Sequence, residues 1–125
     1  MRNGSIVYFC KRTSAPSDDI ETFAKPVAYR LGLQYLTIQP TGGRFDEEKF
    51  GEFVDITNRG IATPYVRWDG VFHEGDRFYL ESVPDGYESG EEPEDGWGYD
   101  ADAKIKVVRK QNEAIMLIIQ NIVRS

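Results

Sequence analysis

The sequence predicts an all-β protein, most economically a small β-barrel of six to seven strands with a long acidic loop; a β-sandwich is the alternative. Three observations predict this class: short runs of alternating apolar and polar residues, turn-forming residues between them, and the lack of any long helical pattern or repeat. The 125 residues fit one domain that can bury a core without disulfides or metal. We therefore treat residues 1–125 as a single domain.

The rest of the chain is arranged around residues 71–82. A turn at residues 68–70 leads into this run. Residues 74–76 predict a reversal, because their glycine accepts a positive φ and their aspartate hydrogen-bonds to its own following backbone. Phe78 and Leu80 then occupy alternate positions, which is the period of a half-buried strand. The run predicts a strand, a tight turn and a second strand.

Two strands are predicted in the N-terminal part. Ile6–Cys10 is apolar on both faces, which is typical of a central strand covered on both sides. Residues 27–35 alternate apolar with polar or small side chains, and the alternation changes phase at Tyr35 and Leu36. We interpret this change as a β-bulge in one long strand, which a turn at residues 40–43 closes.

The middle of the chain has weaker patterns. Residues 46–53 fit one helical turn capped by Asp46, although a glycine within the turn disfavours helix by about 1 kcal/mol relative to alanine. A strand is expected from residue 54 to about residue 63, with a break at residues 58–60 as the alternative. Pro64 lacks a donor for a β-ladder and favours a strand boundary.

A hairpin is predicted at the C-terminal end. Residues 104–109 alternate as a half-exposed strand, residues 111–113 form a short reversal, and residues 114–122 form a strongly apolar strand. A helix over residues 114–123 is the competing interpretation, and the isoleucine content and short loop favour the strand. The predicted core includes the following side chains: Ile6, Tyr8, Leu31, Leu33, Phe78, Leu80, Val107, Leu117 and Ile119.

The acidic residues are concentrated in one segment. The net charge is −6, yet eight of the 21 acidic residues lie in residues 84–103, which contain no Lys or Arg, so 13 acidic residues remain against 15 basic ones elsewhere. Its glycines and prolines predict a flexible loop over residues 84–102, which we call the acidic segment. The candidate functional residues are in this segment: Asp85, Glu88, Glu91, Glu92, Glu94, Asp95, Trp97, Tyr99, Asp100 and Asp102.

No residue pattern predicts catalysis or a cofactor. His73 is the only histidine, and Cys10 lies in an apolar run where a buried, inert thiol is expected. No glycine pattern matches a nucleotide-binding loop. Calcium is the alternative for Asp95, Asp100 and Asp102, but their order differs from an EF-hand loop, so no metal site is predicted. We expect a protein that is not an enzyme.

Two other classes are disfavoured. Strand aromatics such as Tyr8 and Phe72 suit stacking on single-stranded nucleic acid, but a protein this acidic lacks the basic stripe that would bind phosphates. The longest apolar runs are far below the roughly 18 residues needed to span a bilayer, and the N-terminal run is too short for a secretory signal. A soluble protein that uses neither membrane nor sequence-specific nucleic acid binding is expected.

Several motifs resemble small structural proteins of the head-tail joining module of tailed phages and prophages. They are the runs at residues 39–43, 49–52, 72–80 and 103–112, and the resemblance extends over roughly residues 27–122. It implies a β-barrel head-closure or connector subunit that forms a ring between portal and tail. The acidic segment has no equivalent that the resemblance identifies.

The resemblance also implies partners and a location. The partners are the portal or adaptor protein, the tail proteins and other copies of the chain in a ring. The location is the cytoplasm of the bacterial host during assembly, and then the virion. The acidic segment would act in assembly or line the DNA channel, where its charge repels phosphates. A monomeric β-barrel module that binds a protein or a small ligand is the alternative function.

Overall fold

The structure is a computed structural model that describes residues 6–15, 17–32, 36–41 and 57–122. The helical turn predicted at residues 46–53 and the core position predicted for Leu33 lie outside these ranges. The described part is all-β apart from one short helix, which confirms the predicted class. Its elements are β1 (Ile6–Cys10), β2 (Val27–Arg30), β3 (Leu36–Thr41), β4 (Thr57–Ala62), α1 (Tyr65–Trp68), β5 (Arg77–Tyr79), β6 (Ala103–Gln111) and β7 (Ala114–Asn121).

The seven strands form one antiparallel sheet in the order β2-β1-β5-β6-β7-β4-β3. The predicted terminal hairpin is confirmed: β6 pairs with β7 from Ala103 opposite Asn121 to Gln111 opposite Ala114, with an irregularity between Ile105 and Val107. The turn between these strands places Asn112 at φ 58°, in the left-handed region that asparagine tolerates better than most residues. The apolar run of β7 is therefore a strand and not a helix.

The sheet curls although its described strands do not close into a barrel. Strands β2 and β3 are at opposite ends of the strand order, yet only residues 31–35 separate them in sequence. Seven strands spaced about 4.8 Å apart would place the edges of a flat sheet roughly 29 Å apart, further than so short a connection spans. The Gly32 N–H donates to the Leu36 carbonyl at 2.9 Å. The two edges therefore approach each other at this corner.

The single long strand predicted from residue 27 to the turn at residues 40–43 is wrong. Strand β2 ends at Arg30 and pairs with β1, whereas β3 begins at Leu36 and pairs with β4. The change of phase between residues 35 and 36 of the sequence coincides with the start of β3, and its interpretation as a β-bulge is wrong. A bulge and a new strand both shift the apolar phase, so alternation alone does not distinguish them. Strand β4 is continuous through Gly60, so the alternative break there is also wrong, and Pro64 lies beyond its end as predicted.

The first strand predicted within residues 71–82 is not formed. Val71 and Phe72 follow α1 as turn and irregular backbone, and only Arg77–Tyr79 forms a strand. The predicted reversal is confirmed, with Gly75 at φ 95°. Phe72 is buried all the same, because its ring packs on Trp68 and Phe9 with centroid distances of 5.4 and 5.2 Å. The apolar residues here indicate a buried segment, but this segment is not a strand.

The core has two parts, one on each face of β1 and β5. The main core, which we call the inner side, includes Phe78, Leu80, Leu117, Ile119 and Leu31, as predicted. The other side, which we call the outer side, carries a smaller cluster of Cys10, Phe23, Tyr79 and Ala101, against which Tyr8 and Trp97 pack. The core position predicted for Ile6 is wrong, since 45% of this side chain is exposed at the end of β1. Tyr8 and Val107 are only half-buried.

Candidate functional site

The acidic segment enters β6 directly and lies against the outer side of β1 and β5. Asp102 is its strongest connection to the sheet. One oxygen of its carboxylate, Oδ2, accepts the N–H groups of Leu80 and Glu81, each at 2.9 Å. Its own N–H donates to the Phe78 carbonyl at 3.1 Å, and its carbonyl accepts from Ile122 at 2.8 Å. The residue therefore joins the C-terminal end of the segment to the end of β5 and to the residue that follows β7.

Asp100 lies beside the buried outer cluster. It accepts a hydrogen bond from the phenol of Tyr79, whose side chain is 1% exposed. Burial and this hydrogen bond both raise the pKa of Tyr79, so the phenol remains a neutral donor. Burial, reinforced by the negative charge of Asp100, raises the pKa of the Cys10 thiol to about 12. Cys10 is therefore a buried, protonated thiol, as its apolar surroundings in the sequence predicted.

Trp97 and Gly98 connect the acidic segment to the polar stretch that follows β1. Trp97 packs against the outer cluster, and Gly98 lies so close to Phe23 that an added Cβ would approach the ring at 3.0 Å. The Gly98 carbonyl accepts from Arg77 at 3.0 Å, and Arg77 also pairs with Glu21 at 2.9 Å. These contacts fix this part of the segment against two other regions of the chain.

The beginning of the acidic segment is shaped by turns. The Gly90 N–H donates to the Gly86 carbonyl at 2.9 Å, and Gly86 has φ 82°. A Cβ at Gly86 would overlap a backbone carbonyl oxygen, so this turn needs glycine. Asp85 accepts from the Tyr99 hydroxyl at 3.0 Å, and that hydrogen bond raises the pKa of Tyr99. These contacts give the segment a defined path, while its predicted mobility stays a prediction.

The remaining acidic side chains point into solvent. All five are exposed, and among the residues that the structure describes no cation pairs with them. Like charges held this close together produce a negative field that extends beyond the surface by about one Debye length. We call this set the acidic face, and it consists of Glu88, Glu91, Glu92, Glu94 and Asp95.

The sequence did not indicate the role of Asp76. This residue was predicted only as part of a turn, yet it is 1% exposed. Its carboxylate accepts the N–H of Arg12 at 2.8 Å and that of His73 at 2.9 Å, and Lys11 lies 3.5 Å away. Lys11 also donates to the ring of His73, which is exposed beside the turn. No local signal separates this buried aspartate from one that only starts a turn.

Two clefts beside α1 were also missed. One has a volume of about 330 Å³ and lies between β2 and α1, where Tyr29, Arg67 and Trp68 line it. The other has a volume of about 200 Å³ and lies between α1 and the turn of the terminal hairpin, next to Tyr65 and Lys110. The sequence assigned Trp68 to a turn, and no motif showed that two distant segments would meet there.

The exposed carboxylates of the acidic face and the aromatic side chains beside α1 are groups that suit binding of a partner. Over the described ranges, no three His, Cys, Asp or Glu residues are placed to hold a metal ion. Asp100 and Asp102, which were predicted with the other loop acids, serve as internal hydrogen-bond acceptors instead of solvent-facing charges. Within the part of the chain that the structure covers, no helix has the length and hydrophobicity to cross a membrane.

No protein-family model, no curated protein and no solved structure matches this chain. The resemblance to head-tail joining proteins therefore remains an expectation from sequence motifs.

Proposed function

We propose that the chain is a structural subunit of a phage or prophage neck, a head-closure or connector protein that forms a ring between portal and tail. The observation that carries the proposal is the acidic face, whose carboxylates are displayed together on a segment that Asp100 and Asp102 hold to the sheet. Its partners are the portal or adaptor, the tail proteins and further copies of the chain. It acts without cofactor or catalytic residue.

The acidic face suits a surface past which DNA must move without binding. Protein-DNA affinity comes largely from cations that neutralise phosphates and release counterions. A surface of carboxylates reverses the sign of that interaction, so phosphates are repelled at short range. The anchors make the effect directional, because they hold the segment on the outer side of β1 and β5.

The curled sheet supports the same function. We propose that it completes a small β-barrel, since the corner at Gly32 and Leu36 brings its edge strands together. A compact barrel leaves the turns and the acidic segment as the surfaces that meet neighbours. Assembly is templated in this proposal: a free subunit associates weakly, and the portal raises the effective concentration of neighbouring copies.

A monomeric binding module is the second candidate, and the cleft between β2 and α1 favours it. The volume of about 330 Å³ is at the lower end of the range for small-molecule sites, and Tyr29 and Trp68 provide apolar walls beside the guanidinium of Arg67. A ligand seated there would change the fluorescence of Trp68. A saturable change with an organic anion, together with no association with a portal, would favour this function.

The test combines the chain with the portal protein encoded nearest to its gene. The expected result is a ring of subunits on the portal, seen by electron microscopy, and restored particle formation when the chain is supplied to a deletion strain. Neutralising the acidic face by Glu91→Gln, Glu92→Gln and Glu94→Gln should lower the yield of infectious particles. The matched control neutralises three exposed acids elsewhere, by Asp18→Asn, Asp19→Asn and Glu74→Gln.

Each result bears on a different part of the proposal. If no ring forms and complementation fails with the unmodified chain, the neck function is wrong. If rings form and the two triple variants give equal yields of particles, the role of the acidic face in assembly or DNA passage is wrong.

A further inference from the structure

The surface around α1 has the opposite character to the acidic face. Val66 is 82% exposed there, the largest exposed fraction among the described large hydrophobic residues. Two cations flank it, each above an aromatic ring: Arg67 lies 5.7 Å from the centre of the Trp68 ring, and Lys110 lies 4.1 Å from that of Tyr65. We call this set the α1 surface, and it consists of Tyr65, Val66, Arg67, Trp68 and Lys110.

Cations above aromatic rings fit a partner that is rich in carboxylates. Each ring restricts its cation to one side, which lowers the entropy lost when a carboxylate pairs with it. Two exposed carboxylates lie near these cations: Asp69, which accepts a hydrogen bond from Tyr65, and Glu113, which lines the cleft next to Lys110. A further exposed cation, Arg30, lines the other cleft. The attraction therefore depends on Arg67 and Lys110 in particular, with Val66 as an apolar contact between them. The clefts on both sides of α1 give room for side chains of a partner.

The acidic segment of the same molecule is anchored at the other end of β6 from this surface. The acidic segment joins β6 at Ala103, whereas α1 lies at the other end of that strand, where the Tyr65 N–H donates to the Glu113 carbonyl at 2.7 Å. Ala103 and Gln111 are separated by roughly 26 Å along β6, at about 3.3 Å per residue. The segment is also held at its outer-side anchors, Asp100 and Asp102.

We propose that the acidic face of one copy docks on the α1 surface of the next copy. The inference rests on the proposed ring function and identifies the two surfaces that meet between subunits. Contacts between two different surfaces of identical chains are heterologous, and such contacts close into rings when the rotation between neighbours allows it. The opposite charges at the two ends of β6 provide the complementarity that selects this pairing over a symmetric one.

Disulfide trapping between two variants tests the contact without removing any of its charges. One variant carries Val66→Cys on the α1 surface and the other carries Ser89→Cys beside the acidic face; both positions are exposed. The native Cys10 is buried and does not compete. In the equimolar mixture at high protein concentration and low salt, the heterodimer should form roughly tenfold faster than with a control pair, since docking raises the effective concentration of the two thiols.

The control pair combines Ser89→Cys with Lys104→Cys, which is exposed on β6 away from α1. The rate advantage should fall as sodium chloride is added, because screening weakens the attraction. It should also disappear when the Val66→Cys partner carries Arg67→Glu and Lys110→Glu. Glu91→Lys and Glu92→Lys in the Ser89→Cys partner should restore the rate advantage. Restoration by reversed charges is a result that local misfolding does not produce.

Equal trapping rates for the test and control pairs would overturn the docking contact. The ring on the portal, observed with the unmodified chain, is scored separately. Rings without preferential trapping would mean that subunits meet through other surfaces, and the proposed function would stand. Preferential trapping without rings or complementation would support self-association of the chain and would count against the neck.

Discussion

The β6–β7 hairpin and the short strand β5 lie side by side in one sheet, but different interactions hold them in place. The hairpin pairs along most of the length of both strands, and its partners are neighbours in sequence. Strand β5 has three residues, and its partners β1 and β6 are far away in the chain. A strand this short gains little from its own backbone ladder.

Carboxylates complete the hydrogen bonding at both ends of β5. Asp76, directly before the strand, accepts the backbone N–H of Arg12, which follows β1, and that of His73 in its own turn. Asp102 accepts those of Leu80 and Glu81, directly after it. Hydrogen bonds to a charged acceptor are about twice as strong as neutral ones. Side-chain carboxylates can therefore bind backbone N–H groups where the backbone ladder of a short strand ends. Removing apolar packing and removing a carboxylate acceptor test the two kinds of support separately.

The largest loss of stability is expected from Phe78→Ala. Phe78 is fully buried in β5 and contacts the rings of Phe9 and Phe72. Truncation should lower the free energy of unfolding by about 3–5 kcal/mol, because it removes apolar contacts and leaves a cavity. Urea unfolding followed by circular dichroism measures the change. Lys104→Ala, on the exposed face of β6, should stay within about 0.5 kcal/mol; equal effects would mean that β5 does not face the core.

The second prediction concerns the carboxylate that follows β5. Asp102→Asn keeps the shape of the side chain but replaces its charge, so the N–H groups of Leu80 and Glu81 face a weaker acceptor. We expect a loss of about 1.5–3 kcal/mol in urea unfolding. Asp95→Asn, an exposed position on the acidic face, is the matched control and should have almost no effect. A loss as small as that of the control would show that the Asp102 hydrogen bonds do not stabilise the fold.

The same contrast explains which features were predictable from the sequence. The terminal hairpin could be predicted because its strands and turn are contiguous, so local alternation and the reversal at Asn112 contain the necessary information. The division of the predicted long strand into β2 and β3 could not be predicted, because only distant pairing places these two strands at opposite ends of the sheet. Val71 and Phe72 form an apolar pair, which suggested a strand, but these residues are apolar because they pack beside Trp68 in the core.

The acidic residues show a similar limit. The sequence alone does not distinguish a loop aspartate that faces solvent, such as Asp95, from one that accepts backbone hydrogen bonds, such as Asp102. The alternation of Asp100, Ala101, Asp102 and Ala103 just before a strand was the available signal, since both alanines are buried. The α1 surface gave no comparable signal, because it combines residues from α1 with Lys110 of β6.

The third prediction uses the thiol behind β5. Burial raises the pKa of Cys10 to about 12, against 9.0 for an ordinary thiol, so the unfolded chain releases this proton at lower pH than the folded one. The stabilising contribution is fully present below pH 9 and declines as the pH rises towards 12. By pH 10 the loss should be about 1 kcal/mol. Cys10→Ala should remove this part of the pH dependence, measured by urea unfolding from pH 8 to 10; an unchanged slope would mean that the thiol is accessible to water.

The smallest effects concern the free energy of local opening within the acidic segment. Amide hydrogen exchange measures this free energy residue by residue. The sequence predicts mobility over residues 84–102, whereas the structure gives the segment one firm end: the Asp102 N–H donates to Phe78 and the Ala101 N–H donates to Gly98. We expect slow exchange at Asp102 and in the hairpin, and rapid exchange around the exposed Glu92 and Glu94, because local opening there disrupts few buried contacts.

Nuclear magnetic resonance can follow both groups in one sample, with Asp102→Asn as the variant that separates them. This substitution should speed exchange at Leu80 and Glu81, whose N–H groups the carboxylate accepts, and leave the rates around Glu92 unchanged. Slow exchange throughout residues 84–102 in the free subunit would contradict the predicted mobility. Rapid exchange at Asp102 itself would contradict the anchor. Slow exchange at one end and rapid exchange around Glu92 would show a segment that is fixed to the sheet while its acidic face can adjust to a neighbour.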